Sequence, residues 1–326
     1  MIKVDLITGF LGAGKTTFLK KYAGYLMTQG VKVGVIENDF GAVNVDMMLL
    51  DELRGELCEI EMVSGGCDGC TYRRRLKTKL IAMGMQGYQR VIIEPSGIFE
   101  TEEFFDILHE EPLERWYEIG NVFAIVDAGQ GQELSEEAQY LLASQTANAG
   151  KVILSRSQEV TEEQKQYTIQ MLNDALEHFK CERRFDKDIV DGNWETFGER
   201  DYERLLNAGY QVWDYEKLWF ENKEVFDSLY FLEHGLTLEE VKNKINKIFL
   251  DKTCGNVFRI KGFLPDASGE WLEINATSSE ILSKGLVLKK IKRGQEVIIV
   301  IGEGLNKDKI AKILKVSQNQ IEKRNI

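Results

Sequence analysis

The sequence predicts two folded parts: a doubly wound, mainly parallel α/β sheet and a smaller C-terminal α+β domain. Three observations predict this. Short apolar runs, read as continuous rather than alternating, interleave with helical patterns through the N-terminal two-thirds, as parallel strands do when helices cover both faces of the sheet. The first strand-to-helix junction is a glycine-rich turn ending in Lys-Thr. Past residue 222 the pattern changes to strands with a hairpin turn between them, so the predicted domains are 1–222 and 223–326.

The first part begins with a strand at 2–8, followed by strands at 31–37, 57–63, 90–94, 121–127 and 151–154. Helices are predicted between or after them at 15–29, 71–85, 133–147 and 161–179. The stretch from Phe185 to Trp219 is rich in aromatics, including Trp194, Trp213 and Trp219. It reads as packing at the end of the first domain. In the second part, Thr237 is a plausible N-cap for an amphipathic helix reaching Phe249. Strands follow at 256–263, 270–276, 286–290 and 296–301, then a helix at 306–315. Pro265-Asp266-Ala267-Ser268-Gly269 reads as a hairpin turn.

Composition limits the function. A chain of 326 residues with 43% hydrophobic and 29% charged residues can bury two cores and is not generally disordered. Apolar runs stop at five residues, as at 297–301, whereas a membrane span needs ~20. The opening Met1-Ile2-Lys3-Val4-Asp5 has no basic region or long apolar stretch, so the expected location is the cytoplasm. A net charge of −12 repels phosphate backbones and argues against nucleic-acid binding. Five cysteines are an odd number and form no evident disulfide framework. A close pair among them reads as a metal or redox site. With three prolines and no low-complexity stretch, connections should be short.

The glycine-rich turn, Gly9-Phe10-Leu11-Gly12-Ala13-Gly14-Lys15-Thr16, fits G-x-x-x-x-G-K-[ST] and is followed by Thr17. Glycines let backbone N–H groups wrap phosphates. Lys15 reaches the β/γ-phosphates, and the Thr16 hydroxyl goes to Mg²⁺. The fourth strand ends in Glu94-Pro95-Ser96-Gly97. A carboxylate at that strand end, beside a P-loop strand, is placed to hold a hydrated Mg²⁺.

These motifs together resemble the CobW-like family of metallochaperone GTPases, relatives of the urease and hydrogenase nickel-insertion GTPases. The resemblance runs in order through the P-loop, Asn38-Asp39-Phe40-Gly41 with Val43 and Asp46, Gly66-Cys67-Asp68-Gly69-Cys70-Thr71, Glu94–Gly97 and Val126-Asp127-Ala128. It continues through the segment from Gln145 to Val160, Arg259-Ile260-Lys261-Gly262-Phe263 and Val300-Ile301-Gly302, and so covers nearly the whole chain. It implies GTP and Mg²⁺ as cofactors, zinc or another transition metal as cargo, and a client metalloprotein or cofactor enzyme as partner. It also implies a C-terminal domain used for client contact or dimerisation. Lys15, Asp39 and Glu94 are the implied catalytic set. Asp39 would orient or deprotonate the attacking water, or bind the delivered metal.

Three departures from the family pattern bear on chemistry. Where the family has Asn/Thr-Lys-x-Asp to read guanine, this chain has Ser155-Arg156-Ser157-Gln158. A neutral amide replaces a charged acceptor, and the loss of charge-assisted bonds of ~1.5–3 kcal/mol each predicts weaker guanine preference, so ATP stays a candidate beside GTP. Arg156 can still stack on the base as the family lysine stem does. In the metal loop, Gly69 replaces the middle cysteine of Cys-x-Cys-Cys and leaves Cys67 and Cys70 in C-x-x-C spacing. That pair admits a metal site, a thiol switch or a plain turn. In the first switch, Ala42 stands where the family carries an acid.

The run Arg73-Arg74-Arg75-Leu76-Lys77-Thr78-Lys79 reads first as a solvated helix face and second as a docking patch for an acidic client. The expected function is a Mg²⁺-dependent NTPase coupled to metal delivery. The rival readings are a nucleotide-dependent regulatory module with little turnover and a thiol switch.

Overall fold

The computed structural model describes residues 1–39, 49–64, 69–130, 134–218, 225–266, 268–278, 280–281, 285–291 and 294–325. Asp39, Ser64, Gly69 and Cys70 are described by backbone only. Of the residues singled out above, Phe40, Gly41, Ala42, Val43, Asp46, Gly66, Cys67, Asp68, Trp219 and Ala267 lie outside the described set. Among the described residues, 1–39 with 49–218 form one compact unit, and those from 225 onward form a second.

The first unit begins with β1 (Ile2–Thr8), α1 (Lys15–Thr28), β2 (Val33–Asp39), β3 (Cys58–Ser64), α2 (Gly69–Gly84) and β4 (Arg90–Glu94). It continues with α3 (Thr101–Leu108), α4 (Leu113–Trp116), β5 (Tyr117–Asp127), α5 (Glu136–Ala147) and β6 (Lys151–Ser155). It ends with α6 (Glu162–His178), β7 (Ile189–Val190) and α7 (Glu199–Leu206). Its seven strands are ordered β3-β2-β4-β1-β5-β6-β7, and every pairing is parallel. The chain thus winds outward to both sides of β1, which puts the strand order's reversal beside the turn after β1, where such sheets bind ligands.

The central strands are continuous because both faces are covered. Val4, Leu6 and Ile7 of β1 and Val91 and Ile92 of β4 are fully buried. α5 is capped by Ser135, whose hydroxyl accepts from the Ala138 N–H at 3.1 Å. The helix therefore starts at Glu136 and not at 133. α6 starts in a full capping box between Thr161 and Gln164.

The second unit contains β8 (Phe226–Leu232), α8 (Leu238–Leu250), β9 (Asn256–Pro265), β10 (Trp271–Thr277), β11 (Leu288–Ile291), β12 (Val297–Glu303), α9 (Lys307–Leu314) and β13 (Ile321–Asn325). Its sheet, ordered β11-β10-β9-β12-β8-β13, is antiparallel throughout. α8 and α9 bury Val241, Ile245, Ile248, Ile310 and Leu314 in one core with Leu229, Phe231, Ile260, Ile298 and Val300.

Candidate nucleotide site

The site is built at the C-terminal ends of β1, β2, β4, β5 and β6. Gly9 leaves β1 at φ 140°, and a Cβ there would sit 2.2 Å from the Ile125 carbonyl oxygen. Only glycine allows the loop to lie this close to β5. Gly12 and Gly14 also take positive φ, 80° and 101°, and the Ala13 N–H closes a turn on the Phe10 carbonyl at 3.2 Å. Lys15 is buried, with Nζ donating to the carbonyls of Gly9 at 3.0 Å and Phe10 at 3.4 Å. The ammonium therefore lies over the concave side of its own loop. Thr17 is exposed on the first turn of α1.

Thr16 and Glu94 meet across the sheet: the hydroxyl donates to Oε1 of Glu94 at 2.8 Å, and both residues are buried. Glu37 is the register partner of Glu94 on the neighbouring parallel strand and is 2% exposed. Two buried carboxylates thus stand side by side next to Thr16, a donor set of hard oxygens suited to Mg²⁺. Gly97 brings the following segment against the loop, since a Cβ there would lie 2.7 Å from the Leu11 nitrogen. Buried Gln145 of α5 holds that segment by donating to the carbonyl of Gly97 at 2.9 Å.

On the other side, Ser155 ends β6 and is buried. Arg156 follows at φ 55°, and its Nη1 donates to the Gly12 carbonyl at 3.2 Å and to Asp127 at 3.0 Å. Its side chain therefore bridges the P-loop and the ends of β5 and β6. Gln158 is exposed. Ser157 is buried and accepts from the Gly192 N–H at 3.2 Å. A Cβ at Gly14 would lie 3.5 Å from Cβ of Ser155 and 3.6 Å from the ring of Trp194. Trp194 also meets Phe18 edge to face, with centroids 5.4 Å apart. The aromatic segment expected to be packing does pack, but against the phosphate loop.

Asp39 closes β2, and its register partner is Ser64, the last residue of β3. Cys70 lies in the first turn of α2. The other three cysteines, Cys58, Cys181 and Cys254, are free and buried. The histidines are apart from one another: His109 contacts the Phe105 carbonyl, His178 faces Glu136 and His234 faces Glu296. No group of three or more His, Cys, Asp or Glu side chains able to hold a metal occurs among the described residues. Much of the basic run on α2 is paired within the fold, Arg73 and Lys77 with Glu110 and Lys79 with Glu61, which fits a solvated face.

Sequence reasoning missed the roles of Gln145, Gly97 and Trp194, and Asp127 as the partner of Arg156. Spacing gives no signal for these, because the strand order and not chain distance brings them to the loop. No helix among the described residues is long and apolar enough to cross a membrane.

The CobW/HypB/UreG nucleotide-binding domain model matches residues 3–184. The zinc chaperone YjiA of Escherichia coli is 34% identical over 176 residues, which cover 50% of this chain and 52% of that protein. The zinc-regulated GTPase metalloprotein activator 1 of Dictyostelium discoideum is 24% identical over 89% of this chain and 69% of its own. The chain thus spans about half the length of the first of these relatives. Among solved structures, Zn(II)-bound YjiA GTPase from E. coli aligns over 96% of this chain and 98% of its own, with 19% identity and a TM-score of 0.39. With the motif, the parallel sheet and the family model agreeing over more than half its length, the chain belongs to the CobW/HypB/UreG nucleotide-binding family.

Proposed function

We propose that the chain is a Mg²⁺-dependent P-loop nucleoside triphosphatase, a GTPase of slow intrinsic turnover, that couples nucleotide state to delivery of zinc or a similar transition metal to a client protein. The observation that carries this reading is the arrangement of Lys15, Thr16 and Glu94. Lys15 holds a buried charge against two neutral carbonyls, and a β/γ-phosphate would be the stronger partner, since charge-assisted bonds are about twice as strong. The Thr16 hydroxyl would bind Mg²⁺ directly and Glu94 through water, with Glu37 adding negative charge alongside. Mg²⁺ bound there supplies neutralisation of the phosphate oxygens. Asp39 is the proposed group for orienting the attacking water. Turnover should be slow because Arg156 is engaged by Gly12 and Asp127 and is not held ready as an arginine finger.

For the cargo, Cys67 and Cys70 with Asp39 would give two thiolates and a carboxylate, leaving an open position that suits transient binding. The pairing of Asp39 with Ser64 supports this, because the last residues of β2 and β3 stand side by side, ~4.8 Å apart by strand spacing. A nucleotide-driven movement of the first loop would then assemble or break the metal site. The zinc chaperones among its relatives support the same choice of metal.

The test has two arms. Calorimetric titration with GTP and ATP, with and without Mg²⁺, should show binding that Lys15→Ala removes. Undiminished affinity in that variant overturns the nucleotide reading. Zinc titration of the reduced protein should show stoichiometric binding that changes with nucleotide and is lost in Cys67→Ser/Cys70→Ser. Equal zinc binding by both proteins overturns the delivery reading.

A further inference from the structure

We infer that Asp191, in the loop after β7, supplies the charged acceptor that reads the purine base in place of the neutral Gln158. The inference rests on the nucleotide reading above. If the site takes a guanine nucleotide, an ionised carboxylate is the natural partner for the adjacent N1–H and N2–H groups, and residue 158 does not provide one.

Asp191 follows β7 directly, and β7 is the parallel neighbour of β6, the strand that leads into Ser155–Gln158. The two loops are tied together at Ser157, one residue before Gln158. The Ser157 hydroxyl accepts from the Gly192 N–H at 3.2 Å, and the Ser157 side chain hydrogen-bonds the Asp191 carboxylate. Three residues on, the ring of Trp194 borders Gly14 of the phosphate loop, where Cβ of Ser155 also comes close. The loop 191–194 and the end of β6 therefore form two walls around the same glycine, and Asp191 stands where they join.

The carboxylate is also in the right state. Partial burial opposes its ionisation, but hydrogen bonds from Lys165 and Ser157 outweigh that and hold its pKa below the ordinary aspartate value. Lys165 of α6 reaches Oδ2 at 2.7 Å. An ionised carboxylate has about four acceptor positions, and these two donors leave about two for a base edge. The Asp191 side chain is 41% exposed, so the free positions are reachable.

The experiment measures affinities for GTP, ITP and ATP in the full chain with Mg²⁺. ITP lacks the 2-amino group, so it reports on the second hydrogen bond. The wild type should bind GTP most tightly. Asp191→Asn should lose about tenfold to a hundredfold in GTP affinity, with ATP affinity unchanged. Lys165→Met breaks the same ion pair while keeping the acceptor, so it should retain the GTP preference. An unchanged GTP:ATP ratio in Asp191→Asn, or an equal loss in Lys165→Met, overturns the assignment, as does a wild type with no preference for GTP. If Lys15→Ala abolishes binding while the ratio ignores residue 191, only the assignment of Asp191 falls. If the wild type binds none of the three nucleotides, the nucleotide reading falls with it.

Discussion

Gly97 lacks only a methyl group relative to alanine, and that absence lets the segment after Glu94 lie against the phosphate loop. An added Cβ would stand 2.7 Å from the Leu11 nitrogen and 2.9 Å from its Cα, while Gln145 holds the same segment from behind. Backbone is on one side and a buried amide on the other, so the loop itself must move. Overpacking of this kind costs ~1–3 kcal/mol, and Gly97→Ala should weaken nucleotide binding by about tenfold in calorimetry. Unchanged affinity would mean that the loop and the segment move independently. The cysteines give a second prediction at this scale. Burial pushes the Cys58 thiol up to about 11 and raises those of Cys181 and Cys254. Near neutral pH these three are almost entirely protonated, and the thiolate is the reactive form. A disulfide reagent at pH 7.5 should therefore show a fast phase from Cys67 and Cys70 and a slow remainder that accelerates as the pH climbs. Cys67→Ser/Cys70→Ser should remove the fast phase. A fast phase that persists would show one of the buried thiols to be accessible.

Elements differ in how plainly the sequence announces them. The start of α6, predicted at 161, is found at Glu162, where the Thr161 hydroxyl accepts from the Gln164 N–H in a capping box. Thr161→Ala should cost ~1 kcal/mol, a fall of ~2–4 °C in melting temperature, read by circular dichroism. No change would mean that α6 is held by packing alone. β1 and β4 match their predicted spans to the residue: β4 is the apolar run Val91–Ile93 closed by Glu94, and β1, though Lys3 and Asp5 interrupt its apolar residues, ends at the sharp glycine turn. The P-loop is legible for the same local reason: its glycines, Lys15 and Thr16 are consecutive in the chain. β8 is not among the predicted strands, because Asp227 and Ser228 break the apolar residues of Phe226–Leu232, although the strand is buried nearly throughout. β13 escapes for the opposite reason, as Glu322-Lys323-Arg324 is charged and gains strand structure only by pairing with β8. α3 has no side-chain hydrogen bond at its N-cap, Glu100, and so carries no start signal. β7 has two residues, too few for any periodicity, yet it sets the loop bearing Asp191 and Trp194 beside β6. What was illegible in the site is what strand order contributes, including the reach of Arg156 to Asp127 and of Trp194 to Gly14.

At the scale of the molecule, the first unit is pinned by a buried polar cluster that no motif contains. Asp5 on β1 accepts from Arg90 of β4 at 2.6 Å, from the Tyr22 hydroxyl of α1 at 2.8 Å and from the Asn121 N–H of β5 at 2.7 Å. Four elements converge on one carboxylate that is fully buried. Burial pushes the Asp5 pKa up, and Arg90, Asn121 and Tyr22 pull against it. Such a cluster costs more to break than it contributes. Arg90→Met leaves a buried carboxylate without its counter-charge and should destabilise the unit by ~3–5 kcal/mol in urea unfolding. Replacing both partners, Asp5→Leu with Arg90→Met, removes the charge as well as the pair and should recover part of that loss. Nucleotide provides an independent handle, because a ligand stabilises only the unit that binds it. At a free concentration of about 100 Kd, GTP should add ~2.7 kcal/mol to the unfolding of the unit that contains Lys15. The same increment should appear in Arg90→Met at the same free GTP concentration, since the cluster lies away from the phosphate loop's own contacts. A double variant less stable than Arg90→Met would show that Asp5 and Arg90 act separately. A GTP increment lost in Arg90→Met would show that the cluster also shapes the nucleotide site.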